Sequence, residues 1–136
     1  MNKIILTILI VVLCFNCSSV EYINNVERIE AVLLPNELDT RIGVYSESRF
    51  DSAFNDKKKV IAFDVKAVDL NIGRLLNGYK SIDIRTKVLL KQEGGKIHKL
   101  FISRNGTIMY KGKYYKGSIE VMNFLRNTPA GPRITK

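Results

Sequence analysis

Apart from the two cysteines, residues able to do chemistry fall into three small groups in this chain. His98 is the sole histidine, so a metal site needing two imidazoles is excluded and any Ser/His/Asp arrangement would have to use it. No acid or nucleophile is placed beside it; it alternates with Leu100 and Ile102, which reads as a structural strand position. Carboxylates are frequent between Glu21 and Asp69, and two with separated pKa values could serve a glycosidase. No pair is singled out by spacing, and acids interspersed with Arg and Lys read as solvated surface. A glycine-rich phosphate loop is missing as well. No catalytic residue, metal ligand or cofactor is therefore assigned. The third group is Tyr110, Tyr114 and Tyr115 among Lys111, Lys113 and Lys116. Interleaved rings and ammonium groups suit a polymer-binding surface, rings stacking on sugars while lysines meet carboxylates or phosphates; packing within an exposed hairpin is the other role of such tyrosines. The expected binding residues are Lys111, Lys113, Tyr114 and Lys116.

The two cysteines carry a different chemistry. Met1 to Lys3 supply one positive charge, and Ile4 to Phe15 form an apolar run in which only Thr7 and the weakly polar thiol of Cys14 interrupt the hydrocarbon. As a helix that run reaches ~18 Å, short of the ~30 Å hydrocarbon core of a bilayer, and fits a signal peptide. It ends at Cys14-Phe15-Asn16-Cys17-Ser18-Ser19, which resembles a lipobox of the loose kind found in spirochaetes, with Cys14 where Leu is usual and Asn16 where Ala, Gly or Ser is usual. The resemblance implies cleavage before Cys17 and a diacylglyceryl group on its sulfur. Each buried methylene contributes ~0.8 kcal/mol, so two acyl chains hold a protein stably at a membrane where one does not. The expected location is exported and membrane-anchored in the cell envelope.

Removing residues 1–16 leaves one ordinary domain, large enough to bury a core without staples. Both cysteines lie in the leader region, so no disulfide supports that domain. Residues 17–79 hold 8 Lys/Arg against 10 Asp/Glu, whereas residues 80–136 hold 13 against 3. The basic half attracts polyanions over a Debye length of ~8 Å at physiological salt. Anionic lipid, wall polymer and nucleic acid are all acceptable electrostatically, and export makes nucleic acid the least favoured.

These residues need elements to hold them. Residues 17–25 read as lipidated N-terminus and tether, 26–126 as one β-rich domain, and 127–136 as an irregular tail. Val26 to Leu34 is strand-like and stopped by Pro35, Arg41 to Tyr45 can form a short strand, and Ser46 to Asp56 a helical turn with Phe50 and Phe54 on one face. Val60 to Val68 alternates as a half-buried strand, while Asp69 to Gly78 suits a loop or a single helical turn. Ser81 to Lys91 is the clearest strand, with Ile82, Ile84, Thr86, Val88 and Leu90 on one face. Gly94-Gly95 turns the chain, Asn105-Gly106 makes a hairpin in which both residues tolerate positive φ, and Gly112-Lys113 makes the next turn into a strand from Tyr114 to Met122. The pattern predicts a mainly β fold, a small antiparallel meander sheet or partly open barrel with at most one or two short helices.

The run Gly112-Lys113-Tyr114-Tyr115-Lys116-Gly117-Ser118-Ile119-Glu120-Val121 is similar to the start of the SpoIID/LytB family, where a glycine, a basic residue, an aromatic and a second basic residue precede Gly-Ser-Ile/Leu-Glu-Val. The likeness extends back to Asn105, and Ile84 to Leu90 looks like the preceding strand of that family. It implies a peptidoglycan context, since some members cleave glycan strands and others modify wall hydrolases. Where the family continues into a helical catalytic region, this chain reads Asn123-Phe124-Leu125-Arg126-Asn127-Thr128-Pro129, so no catalytic glutamate carries over and Glu120 falls in a strand. The expected function is a non-enzymatic envelope lipoprotein whose partners are the membrane, through its lipid, and peptidoglycan, anionic lipid or another envelope protein. Alternatives are a surface lipoprotein binding a host or environmental ligand, and a wall-acting enzyme or enhancer. Metabolic labelling with palmitate should mark the wild type and the Cys14→Ala variant and leave Cys17→Ala unmarked; a labelled Cys17→Ala protein would exclude the lipobox.

Overall fold

A computed structural model of the chain describes residues 19–34, 43–53 and 55–126, and the statements that follow concern these. Cys17, Pro35, Phe54 and the tail from Asn127 lie outside them.

Six strands and two short helices follow in the order β1 (Val20–Leu33), α1 (Glu47–Ser52), β2 (Lys59–Leu76), β3 (Ile84–Gln92), β4 (Ile97–Ser103), β5 (Thr107–Tyr110), β6 (Lys113–Gly117) and α2 (Ile119–Arg126). Every neighbouring pair is antiparallel, and the sheet closes into a barrel in the order β1-β2-β6-β5-β4-β3. The fold is mainly β, as expected. β3 to β6 form the meander, and β1 inserts between β2 and β3.

Several elements depart from the sequence reading, each for a definable reason. β1 begins at Val20, so residues 20–25 are paired strand where a tether was expected: Val20 faces Arg74, and the Ser19 carbonyl accepts from Leu75 N–H at 3.2 Å. β2 continues to Leu76 through the stretch read as loop. Its register skips Ile72 between the Tyr22–Asn71 and Glu21–Gly73 pairs. Such a bulge moves the apolar residues off strict alternation, and Leu70, Ile72 and Leu75 all serve the interior. Gly73, at φ 138°, lies at that bulge, and a Cβ there would collide with the Lys116 carbonyl oxygen. Residues 43–45 form no strand, although Val44 receives the Ile84 N–H at 2.7 Å and donates to Asp83 Oδ1 at 2.8 Å. β6 stops at Gly117 instead of running to Met122. Ser118 Oγ accepts from Val121 N–H at 3.1 Å, and its own N–H donates to the Ile72 carbonyl at 3.0 Å. This N-cap starts α2, so Glu120 belongs to a helix and not to a strand.

The turns are shifted in detail. Of Asn105 and Gly106 only Gly106 has positive φ, at 84°, and its N–H returns to the Ser103 carbonyl at 3.1 Å. That is a three-residue loop with a left-handed glycine at its end. The following turn is Lys111-Gly112, one residue earlier than expected, with φ 50° and 72°. Two consecutive left-handed residues make the primed turn whose twist matches its strands.

The barrel interior is packed with apolar side chains from every strand, including Ile29, Ile72, Val88, Leu100, Ile108 and Tyr115, and Val121 of α2 joins them. The residual apolar space lined by Ile29, Leu70, Leu90, Ile102 and their neighbours amounts to about 10 Å³, the lower bound for a single water. A second apolar cluster lies on the outer face, where Phe50 of α1 packs with Leu34, Val44, Ile82, Ile84 and Phe101. Lys87 fixes α1 above it, reaching Glu47 at 3.0 Å and Asp51 at 2.9 Å, while Lys99 reaches Glu47 at 3.0 Å. Burial opposes the charge on Lys87, but hydrogen bonds to Asp51 and Glu47 outweigh it and raise its pKa; bonds from Lys99 and Lys87 lower that of Glu47. Among the described residues no helix is long and apolar enough to cross a membrane.

Two glycines separate backbone strain from collision. A Cβ on Gly94, at φ 85°, meets nothing within 4 Å, so Gly94→Ala should cost only about 1 kcal/mol. Gly73→Ala adds a clash with main chain that cannot swing away and should cost roughly 3 kcal/mol or more. Urea denaturation midpoints of the two variants check the order.

Candidate functional site

The expected binding residues sit on the β5–β6 hairpin and the turn that joins it. Cross-strand pairs run Tyr110–Lys113, Met109–Tyr114, Ile108–Tyr115 and Thr107–Lys116. Alternation sends Tyr115 and Ile108 into the barrel and leaves Tyr114, Lys116 and Met109 on the outer face. Lys111 occupies the turn with its ammonium 4.8 Å from the Tyr110 ring centroid. A hydrogen bond with the Tyr110 hydroxyl is the main cause raising its pKa, with Tyr110 and Glu21 adding electrostatic support. Lys113 and Lys116 are exposed.

Tyr114 is placed differently from a free stacking platform. It is half-buried against the outer apolar cluster, its hydroxyl donates to the Lys80 carbonyl at 2.9 Å, and its ring lies 5.9 Å from Tyr79 at a 31° tilt. Its hydroxyl is thus spent on the backbone, and the ring packs on one side. The four expected residues share a hairpin but do not converge on one pocket.

β2 adds a residue that sequence reading did not place. Arg74 faces Lys116 across β6 and Val20 across β1, so a row of neighbouring strands reads Val20, Arg74, Lys116, Thr107. Neither Arg74, Lys113 nor Lys116 has an ion-pair partner among the described residues, whereas Asp64, Asp83, Glu47 and Asp51 are engaged with Arg28, Arg85, Lys87 and Lys99. Nothing in the spacing of Arg74 and Lys116 along the chain signals their adjacency, which depends on the bulge at Ile72.

An open groove of about 440 Å³ lies elsewhere, lined by residues that include Glu27, Arg28, Asp64, Lys66 and Lys91. It forms where three residues of β2, Val65 to Ala67, oppose the single residue Glu27 of β1. Among the described residues no group of three or more His, Cys, Asp or Glu side chains could hold a metal ion.

His98 is buried, with both ring nitrogens engaged. Nε2 lies 3.0 Å from Gln92 Oε1 and Nδ1 lies 2.6 Å from the Tyr110 hydroxyl. Since Gln92 Oε1 can only accept, Nε2 carries a hydrogen, and in the neutral ring Nδ1 accepts from Tyr110. Desolvation lowers the pKa of His98 first, helped by the positive charges of Lys96 and Lys111. Burial likewise raises that of Tyr115, with Glu21 and Tyr110 contributing.

Comparison with protein-family models, with curated proteins and with solved structures finds no match to this chain.

The network around His98 sets a pH dependence. Its folded pKa lies below the unfolded value of ~6.5, so the unfolded chain binds the proton first and stability falls as pH drops through that value. Urea midpoints should decrease between pH 7.5 and 5.5, a window above the carboxylates, and His98→Gln should flatten the decrease. An unchanged slope in that variant would show that another group titrates.

Proposed function

We propose that the protein is an exported, membrane-anchored, non-enzymatic lipoprotein of the cell envelope whose basic β domain contacts wall polymer, anionic lipid or another envelope protein. The observation that supports this reading best is the set of exposed cations on adjoining strands, Arg74, Lys113 and Lys116, left without ion-pair partners among the described residues while several acids of the domain are paired elsewhere. A barrel interior filled by its own side chains leaves the outer surface for recognition. An anionic polymer or headgroup layer meets such a surface through charge, with strength that depends on salt. In this reading Cys17 carries the lipid that keeps the domain at the membrane.

The test uses the chain from Ser18 onward, which keeps the Ser19 bond to Leu75. It should sediment with wall sacculi or anionic vesicles at low salt and release as the Debye length shrinks from ~30 Å at 0.01 M to ~3 Å at 1 M. Replacing Lys111, Lys113 and Lys116 by Gln should weaken binding while circular dichroism and the denaturation midpoint stay near wild type, because exposed lysines contribute little to stability. A wild-type domain that ignores both surfaces at low salt would replace this reading with a specific protein partner.

A further inference from the structure

The start of β1 fixes how the domain must sit. Two residues separate Cys17 from Val20, and Val20 is already hydrogen-bonded barrel, paired with Arg74. Three residue steps reach at most ~11 Å, so whatever holds Cys17 holds the Val20 end of the barrel within that distance. A long tether would let the domain leave the surface altogether; this spacing keeps its Val20 end close to whatever holds Cys17.

The face presented at that end has the composition of a headgroup-binding surface. Val20 and Tyr22 are exposed, at 42% and 55%. On the outer face beside them stand Arg74, one strand spacing of ~4.8 Å from Val20, and Lys116, one spacing further on β6. Like charges directly opposite each other on a sheet are destabilising in isolation, and among the described residues no acid is ion-paired with either. A layer of lipid phosphates supplies the missing counter-charge, and an exposed tyrosine suits the boundary between headgroups and water. At the far end of the hairpin Leu33 pairs with Lys59, roughly 40 Å away at ~3.3 Å per residue.

We infer that the outer face formed by Val20, Tyr22, Arg74 and Lys116 docks on the anionic headgroups of the membrane that holds the lipid of Cys17, so that the barrel is held in one orientation with the Lys59 end pointing away. The inference rests on lipidation of Cys17 and deepens the proposed function by naming the lipid phosphate as partner and the face that meets it. Docking is electrostatic and local: each cation near an anionic surface multiplies the docked-to-undocked ratio by roughly five.

The experiment uses the full-length lipidated protein in vesicles of phosphatidylcholine with or without 30% phosphatidylglycerol, as a test proportion of ~30%. A fluorophore is placed at Asn24→Cys, an exposed position of β1 outside the docking residues, or, as a control, at Lys59→Cys, and a headgroup-attached quencher reports proximity. Quenching at position 24 should be strong in anionic vesicles and weak at 59, and should fall at 24 in 1 M salt. Arg74→Gln with Lys116→Gln should lower the docked-to-undocked ratio about thirtyfold, while flotation with the vesicles persists through the lipid. Equal quenching at the two positions, or quenching at 24 unchanged in the double variant, overturns the docking. Protein that fails to float with vesicles in either composition overturns the lipid anchor instead, and the docking with it.

Discussion

Closure of this barrel depends on four backbone pairs, Gly73 to Leu76 of β2 against Gly117 to Tyr114 of β6. All other contacts between neighbouring strands could exist in an open sheet. Closure requires β6 to come so near β2 that only hydrogen fits on the Gly73 α-carbon, and it requires β2 to change face at Ile72. The same bulge that permits the approach brings Leu75 inward beside Tyr115 and leaves Arg74 outward beside Lys116. The glycine, the packed core and the cationic row are therefore consequences of one local register change.

Closed sheets have no free edge along the closed part, but β6 is only five residues long and cannot cover the eighteen of β2. Among the described residues, Lys59 to Leu70 of β2 pair with β1 alone. Ser118 ends β6 and caps α2 where that shortfall begins, and Val121 then enters the interior against residues of four strands. Helix and bulge thus solve one geometric problem from two sides. The outer apolar cluster solves another: alternation leaves Phe101, Met109 and Tyr114 on the solvent face, and α1 with Phe50 covers them. Ion pairs of Lys87 and Lys99 orient that helix; the exposed Lys99–Glu47 pair contributes at most about 1 kcal/mol, and the apolar burial of Phe50 adds to the attachment.

Legibility in the sequence follows regularity. From Ile84 to Tyr115 apolar residues alternate, turns carry glycine, and strand order equals chain order, so the meander, the Asn105-Gly106 hairpin and the mainly β class could be read directly. What failed was read where alternation is broken by tertiary pairing. Leu70, Ile72 and Leu75 look like a loop or helical turn because the bulge hides their common face. Val20 to Asn25 looked like a tether because Glu21, Asn24 and Asn25 are polar, yet Asp69 accepts the Asn25 N–H at 2.9 Å and makes its φ of 52° tolerable. Ile119 and Val121 alternate as in a strand, but the Ser118 cap turns them helical. The candidate site was half legible: lysines and tyrosines of the hairpin were visible, but Arg74 was not, and the engagement of the Tyr114 hydroxyl by Lys80 could not be seen from its neighbours in sequence.

A basic half-chain does not by itself make a basic face. Lys87 and Lys99 come from the same cation-rich segment, yet both are spent on Glu47 and Asp51, and Arg85 is held by Asp83 at 2.6 Å. Glu47 and Asp51 come from the first half of the chain and are carried over β3 and β4 by α1, whereas Asp83 comes from the second half itself. Strands β2 and β6 receive no such covering segment among the described residues. Arg74 of β2 and Lys116 of β6 have no ion pair among the described residues and stand side by side next to the first residues of β1. Charge asymmetry along the sequence becomes spatial asymmetry only through this topology, which places the cationic row next to the chain segment that leads to Cys17.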